Sequence, residues 1–190
     1  MKEKLPAKIA QLHQQRLEIL NEPPERALDR ILHAESPAAL VHAFPEQDFY
    51  HLVHDIGPED ALPLLSLASD RQWEYLLDIE SWTRDRIDLA AVTRWLDRLH
   101  RADPRRTIRY LVEKKIEFLE FYLFRNLEVR IRETDQDPTE FGADYFSRDS
   151  VFYVRPSSEL LNEDSNLSDI DRTRLREFIN ELIESLADHD

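Results

Sequence analysis

The segment HAFPEQDFYHLVHDIGPED, residues 42–60, places three histidines and five carboxylates within nineteen residues. These are the side chains that hold divalent metals or pass protons. A zinc centre needs three or four ligands converging at ~2 Å. On a helix through this segment, His51 and Asp55 stand one turn apart and supply two. Phe49, Leu52, Val53 and Ile56 fall on one side of that helix, and His51 and His54 on the other, so both histidines read as facing water. His33 and His42 likewise lie away from the apolar stripes Leu28, Ile31, Leu32 and Leu40, Phe44. The spacing therefore predicts no catalytic residue, no cofactor and no metal ligand in this region.

The remaining carboxylates admit a weaker chemistry. Asp55, Glu59 and Asp60, and the group Asp78, Glu80, Asp85 and Asp88, sit near helix ends, where acids interact favourably with the free amides of a first turn. A hydrated Mg²⁺ needs only one or two of them, so a divalent-cation-responsive regulatory domain stands as the second reading of function. Trp73 and Trp95 recur with leucines at helical spacing and read as core, while Trp82 follows a helix end and reads as sealing a corner.

Composition removes several classes. The chain has 190 residues, no cysteine and two glycines, Gly57 and Gly142. Disulfides, thiolate catalysis and Cys-ligated zinc are excluded. Phosphate-cradling loops and nucleophile elbows cannot be written with two glycines so far apart. No apolar run approaches the length of a membrane span, and the start, MKEKLPAKIAQLHQQRLEIL, lacks the apolar core of a signal peptide. The expected location is the cytoplasm.

Charge is unevenly spread around a net −14. Residues 132–190 hold 16 acids and 6 bases, whereas residues 84–115 hold ten bases and five acids. With a pI near 4.9 and acids interleaved in the basic stretch, no nucleic-acid role is expected. Arg94, Arg98, Arg101, Arg105, Arg106 and Arg109 instead read as a rim meeting something acidic, either the chain's own tail or a partner protein.

The elements that position these groups are short helices. Pro24, Pro37, Pro58 and Pro104 each stand where a helix can begin, because a first-turn residue needs no amide hydrogen bond. PPERALDRILHAE, SPAALVHAF, PEQDFYHLVHDIG, GPEDALPLLSLAS, SDRQWEYLLDIESW, DLAAVTRWLDRLHRA and DPRRTIRYLVEKK each read as one helix, with Gly57 closing one before the next. KKIEFLEFYLFRNLEVRI, residues 114–131, reads as a longer helix, apolar around most of its circumference. Its Phe118, Phe121, Tyr122 and Phe124 are candidate partner-binding residues, together with Arg98, Arg101, Arg105, Arg106 and Arg109. Beyond it, ETDQDPTEFGAD has linker composition and DYFSRDSVFYVRP suggests a small hairpin. A terminal helix follows. Ser168 and Asp171 make its capping pair, and Leu175, Phe178, Ile179, Leu182, Ile183 and Leu186 form its stripe.

The stretches LVHDIGPEDALPLLSLAS (52–69) and QWEYLLDIESWTRDRID (72–88) resemble the L-V-x-x-I-G-x-E-D-A-x-x-L-L-x-L-A-S…L-L-D-x-E-x-W signature of a bacterial family of uncharacterised helical proteins, a domain of unknown function. The resemblance covers about residues 25–135 and, more loosely, YFSRDSVFYV, where Asp149-Ser150 stands in place of an expected turn glycine. The L-P-x-x-D and P-E-D-A units are also distantly similar to the short-helix superhelical repeats of magnesium-transporter amino-terminal domains and flagellar motor switch proteins. That similarity implies a regulatory or protein-contacting array and, in the transporter case, carboxylates gathered around Mg²⁺.

The expected fold is mainly α: stacked short helical hairpins in a solenoid-like array, at most one small β-hairpin, and a carboxy-terminal amphipathic helix. The expected division is a helical array over 1–131, an irregular linker over 132–167 with a hairpin near 144–154, and a helix over 168–190 that packs on the array or on a partner. The expected function is a non-catalytic protein-interaction or regulatory module, bound to a protein partner or to itself; an enzyme is the third reading.

Overall fold

The computed structural model describes residues 4–142, 144–157 and 169–189. Over these the protein is mainly helical, as its proline-punctuated periodicity predicts. The helices are α1 (Lys4–Ile19), α2 (Pro24–Leu32), α3 (Pro37–Val41), α4 (Glu46–Ile56), α5 (Leu62–Leu67), α6 (Asp70–Glu80), α7 (Leu89–Ala102), α8 (Pro104–Lys114), α9 (Ile116–Asn126) and α10 (Asp169–Ala187). Two separate antiparallel pairs join β1 (Trp82–Thr83) to β2 (Arg86–Ile87), and β3 (Leu127–Ile131) to β4 (Phe152–Pro156). The chain divides into two compact units, Met1–Pro104 and Arg105–Asp190.

In the first unit, prolines open α2 and α3 and precede α4 at its cap. Gly57 closes α4 with φ of 100°, a conformation that costs glycine nothing. Pro58 does not open a helix. The Gly57 carbonyl accepts from the amides of Asp60 and Ala61, at 3.0 and 2.9 Å, and this turn delays α5 to Leu62. Ser69 and Gln72 form a reciprocal capping box at the start of α6. The buried Gln72 amide also donates to the carbonyls of Val41 and Phe44, at 2.9 and 3.0 Å, tying α6 to the end of α3.

Helices this short cannot hide a face alone, and each of α1 to α5 packs on the helix two places further along. Ile31, Val41, Phe49, Val53, Leu64, Leu65, Trp73, Leu76, Leu96 and Leu99 are buried in consequence. Trp73 is core, as expected, and its indole nitrogen donates to the Leu65 carbonyl at 2.9 Å. The β1–β2 pair is an addition to the sequence reading. Its two-residue connection puts Arg84 at φ of 61°, and without glycine it carries no hairpin signature. Trp82, on β1, seals no corner: it is exposed.

In the second unit, the helix expected over 114–131 is broken twice. Lys115 leaves helical geometry between α8 and α9, and from Leu127 the chain runs as strand β3. Two features account for the second change. LEVRI alternates apolar and charged residues with strand period. Asn126, fully buried, turns its side-chain amide onto the Tyr122 carbonyl at 2.7 Å, while its own carbonyl accepts from the Ser157 amide at 2.7 Å. Strand β4 pairs along its length with β3, and the hairpin expected near 144–154 shrinks to one bridge, Phe146 with Val154. On α10, Leu175, Phe178, Ile179 and Leu182 are buried as the stripe predicts, and the helix packs on β4. The Ser168–Asp171 capping pair lies outside the described residues.

Candidate interaction surface

The polar face of α4 meets α6 and α7 in a knot centred on Glu80. The Glu80 carboxylate accepts from the Tyr50 hydroxyl at 2.7 Å and the Trp95 indole at 2.9 Å, and lies 3.1 Å from His54 Nε2. Partial burial works to raise the Glu80 pKa. The bonds from Tyr50 and Trp95 and the contact with His54 outweigh it, so the carboxyl sits below its usual range. Tyr50 moves the other way, pushed up to about 12 by burial and by its bond to Glu80. His54 is exposed on that face, as expected, and its ring also packs beside Tyr50 and edge-on to Trp95, with centroids 4.4 and 5.8 Å away. His33, His42 and His51 are exposed as expected.

Next to this knot, Arg98 lies over the Trp95 ring at 4.7 Å and bonds Glu59 at 2.8 Å. Arg101 bonds the same carboxylate at 2.7 Å and approaches Asp97 at 3.7 Å. Glu59 therefore clasps two of the candidate arginines and sits at no helix start. Burial raises its pKa less than the two guanidiniums lower it. In the second unit Arg105 and Arg109 are exposed and Arg106 is half-buried.

Helix α9 separates its four aromatic candidates. Phe124 is 83% exposed and Phe121 39% exposed, whereas Tyr122 is completely buried. Phe118 is half-buried, its ring 6.5 Å from that of Tyr122. Tyr122 is thus a core residue, because it falls one turn from Leu119 and Asn126 on the buried side of α9.

Sequence reasoning missed the surface that follows. In the β3–β4 pair Leu127, Val129 and Ile131 lie opposite Pro156, Val154 and Phe152, making one face apolar. Val129, Ile131 and Phe152 on that face are 54%, 65% and 50% exposed. The other face is polar. Glu128 accepts from Tyr145 at 2.5 Å, from both Nε and Nη2 of Arg155 at 2.9 and 2.7 Å, and from Arg130 at 2.9 Å. Asp144 meets Arg155 at 2.7 Å. The Tyr145 bond first, then those from the arginines, hold the Glu128 carboxyl down at about 2. The LEVRI alternation was the available signal, hidden because it continues a helical apolar stripe.

The 132–141 loop and β3 outline a hollow of about 830 Å³, walled by Arg130, Ile131, Glu133, Gln136, Glu140 and Phe141 and open to solvent. Among the described residues, no three metal-ligating side chains gather at one point. No helix among them is long and apolar enough to cross a membrane.

These features define a mainly helical protein with two small antiparallel strand pairs and a terminal helix. The chain belongs to the Family of unknown function (DUF6178), whose model matches residues 4–190. No curated protein and no solved structure matches it.

Proposed function

We propose that the protein is a non-catalytic interaction or regulatory module of the cytoplasm, and that it docks a protein partner through the apolar surface of its second unit. The observation that carries this reading is the exposure of Phe124 on α9 together with Val129, Ile131 and Phe152 on one face of the β3–β4 pair. Apolar residues scattered singly on a surface are ordinary, whereas neighbours fixed by strand register form a patch of the kind that protein partners cover. Arg105 and Arg109, exposed on the same unit, supply the charged groups that steer encounter and orientation.

The test uses the intact chain as bait in lysate of its source organism, beside Phe124→Asp and Phe152→Asp variants that melt like the parent. A partner held by the parent and lost from both folded variants supports the reading. Capture unaffected by either substitution, or no capture with no self-association, ends it.

A further inference from the structure

We infer that the outer edge of strand β3 pairs antiparallel with β3 of a second copy of this chain. This deepens the interaction reading above and rests on it.

The direction of the backbone groups follows from two bonds that flank the β3–β4 ladder. Ser157 donates to Asn126 and Arg132 donates to Val151, so residues 126, 128, 130 and 132 turn their backbone groups towards β4. Leu127, Val129 and Ile131 therefore turn theirs outward. The Leu127 amide is taken by the Leu123 carbonyl at the end of α9. The amides of Val129 and Ile131 and the carbonyls of all three remain on an edge whose side chains at 129 and 131 are more than half exposed. The opposite edge of the pair is already occupied, since Val154 exchanges both backbone bonds with Phe146 at 2.8 Å. Edge strands are ordinarily blunted by charged side chains, lysine above all, by proline or by a bulge. β3 has no lysine, proline or bulge, and its two charges, Glu128 and Arg130, are of opposite sign, so they can answer each other across a pair of copies.

The occupant is read from the sequence of the strand. LEVRI, residues 127–131, is self-complementary when run antiparallel about Val129. Leu127 then faces Ile131 of the other copy, Val129 faces Val129, and Glu128 faces Arg130 twice. The Glu–Arg positions fall at the non-hydrogen-bonded pairs, where side chains approach most closely. Arg130 is held on that face by Glu128 and by the Tyr145 ring, 5.2 Å away, yet its side chain stays 53% exposed. Four backbone bonds result: two between the Val129 residues and two from Ile131 amides to Leu127 carbonyls. The interface is isologous and closes at two copies.

A chain without cysteine makes the register directly readable. In Val129→Cys the two thiols face each other on the two-fold axis, within disulfide reach. In Ile131→Cys, at a more exposed position, they stand four residues out of register. Under mild oxidation the first variant is expected to form a covalent dimer and the second to stay monomeric. Analytical ultracentrifugation of the unmodified chain is expected to show a reversible dimer. Arg130→Glu, which sets like charges opposite each other twice, is expected to weaken it about tenfold or more. Val129→Pro removes an outward amide that the β3–β4 ladder does not use, a position where an edge strand tolerates proline, and is expected to abolish it. Equal cross-linking at 129 and 131, a dimer unmoved by Arg130→Glu, or a parent monomeric up to roughly millimolar concentration overturns the inference. Phe124-dependent capture of a different protein would then leave the interaction reading standing alone.

Discussion

At the scale of single residues the protein's carboxylates act as acceptors that knit its own surface. Glu59, Glu80 and Glu128 all lose protons more readily in the folded chain than the ordinary carboxylate value of 4.5. A group whose folded pKa is depressed contributes stability above its unfolded value, and that contribution disappears as pH falls through the folded one. For Glu128 the window runs from 4.5 down to about 2. The urea midpoint is therefore expected to fall steadily as pH is lowered across this window, and to fall less steeply in Glu128→Gln. An unchanged slope in that variant would show that the Tyr145 and Arg155 bonds carry no proton-linked stability. His54 illustrates why such pairings elude a helical wheel. The wheel puts it on the polar face of α4, where it is, but the partners that meet that face, Glu80 and Trp95, lie more than twenty residues away along the chain.

At the scale of elements, what was legible depended on local grammar. Proline at a first turn, Ser69 with Gln72 in a capping box, and Gly57 at a helix end each announce themselves within four residues, and α2, α4, α6 and α7 follow as expected. Where one grammar was overlaid on another, the reading failed. LEVRI satisfies a helical stripe and a strand alternation together, and the choice is made by a tertiary event, the burial of Asn126 and the arrival of β4. The turn at 147–150 lacked glycine because Asp149 supplies a substitute. Its carboxylate accepts from the amides of Phe152 and Val151, at 2.9 and 2.8 Å, and stabilises a turn in which Ser150 takes φ of 60°. Gln72 shows how much one capping residue can join. Gln72→Ala removes the side-chain half of the capping box, leaves the Val41 carbonyl with the Phe44 amide alone and takes the buried amide donor from the Phe44 carbonyl, so a loss of about 1–3 kcal/mol is expected in urea denaturation. A loss below about 1 kcal/mol would mean that water replaces both bonds.

Across the whole molecule, the same residue type plays opposite roles according to what the fold covers. Phe178 on α10 is completely buried and Phe124 on α9 is 83% exposed. Phe178→Ala is expected to cost about 3–5 kcal/mol, and Phe124→Ala to change stability by no more than about 0.5 kcal/mol; comparable losses would show that Phe124 is packed in solution. The candidate surface was legible only in part, because sequence pattern marks which positions are apolar and not which of them the fold leaves uncovered. Phe124 was found that way and Tyr122 was not distinguished from it, although the two stand two residues apart. The distribution of tryptophan has a spectroscopic consequence. All three indoles, at 73, 82 and 95, belong to the amino-terminal unit, two of them buried and Trp82 in water. Emission excited near the red edge of protein absorbance therefore reports on Met1–Pro104 alone, while ellipticity sums over both units, so the chain carries its own optical label for following one half without touching the other.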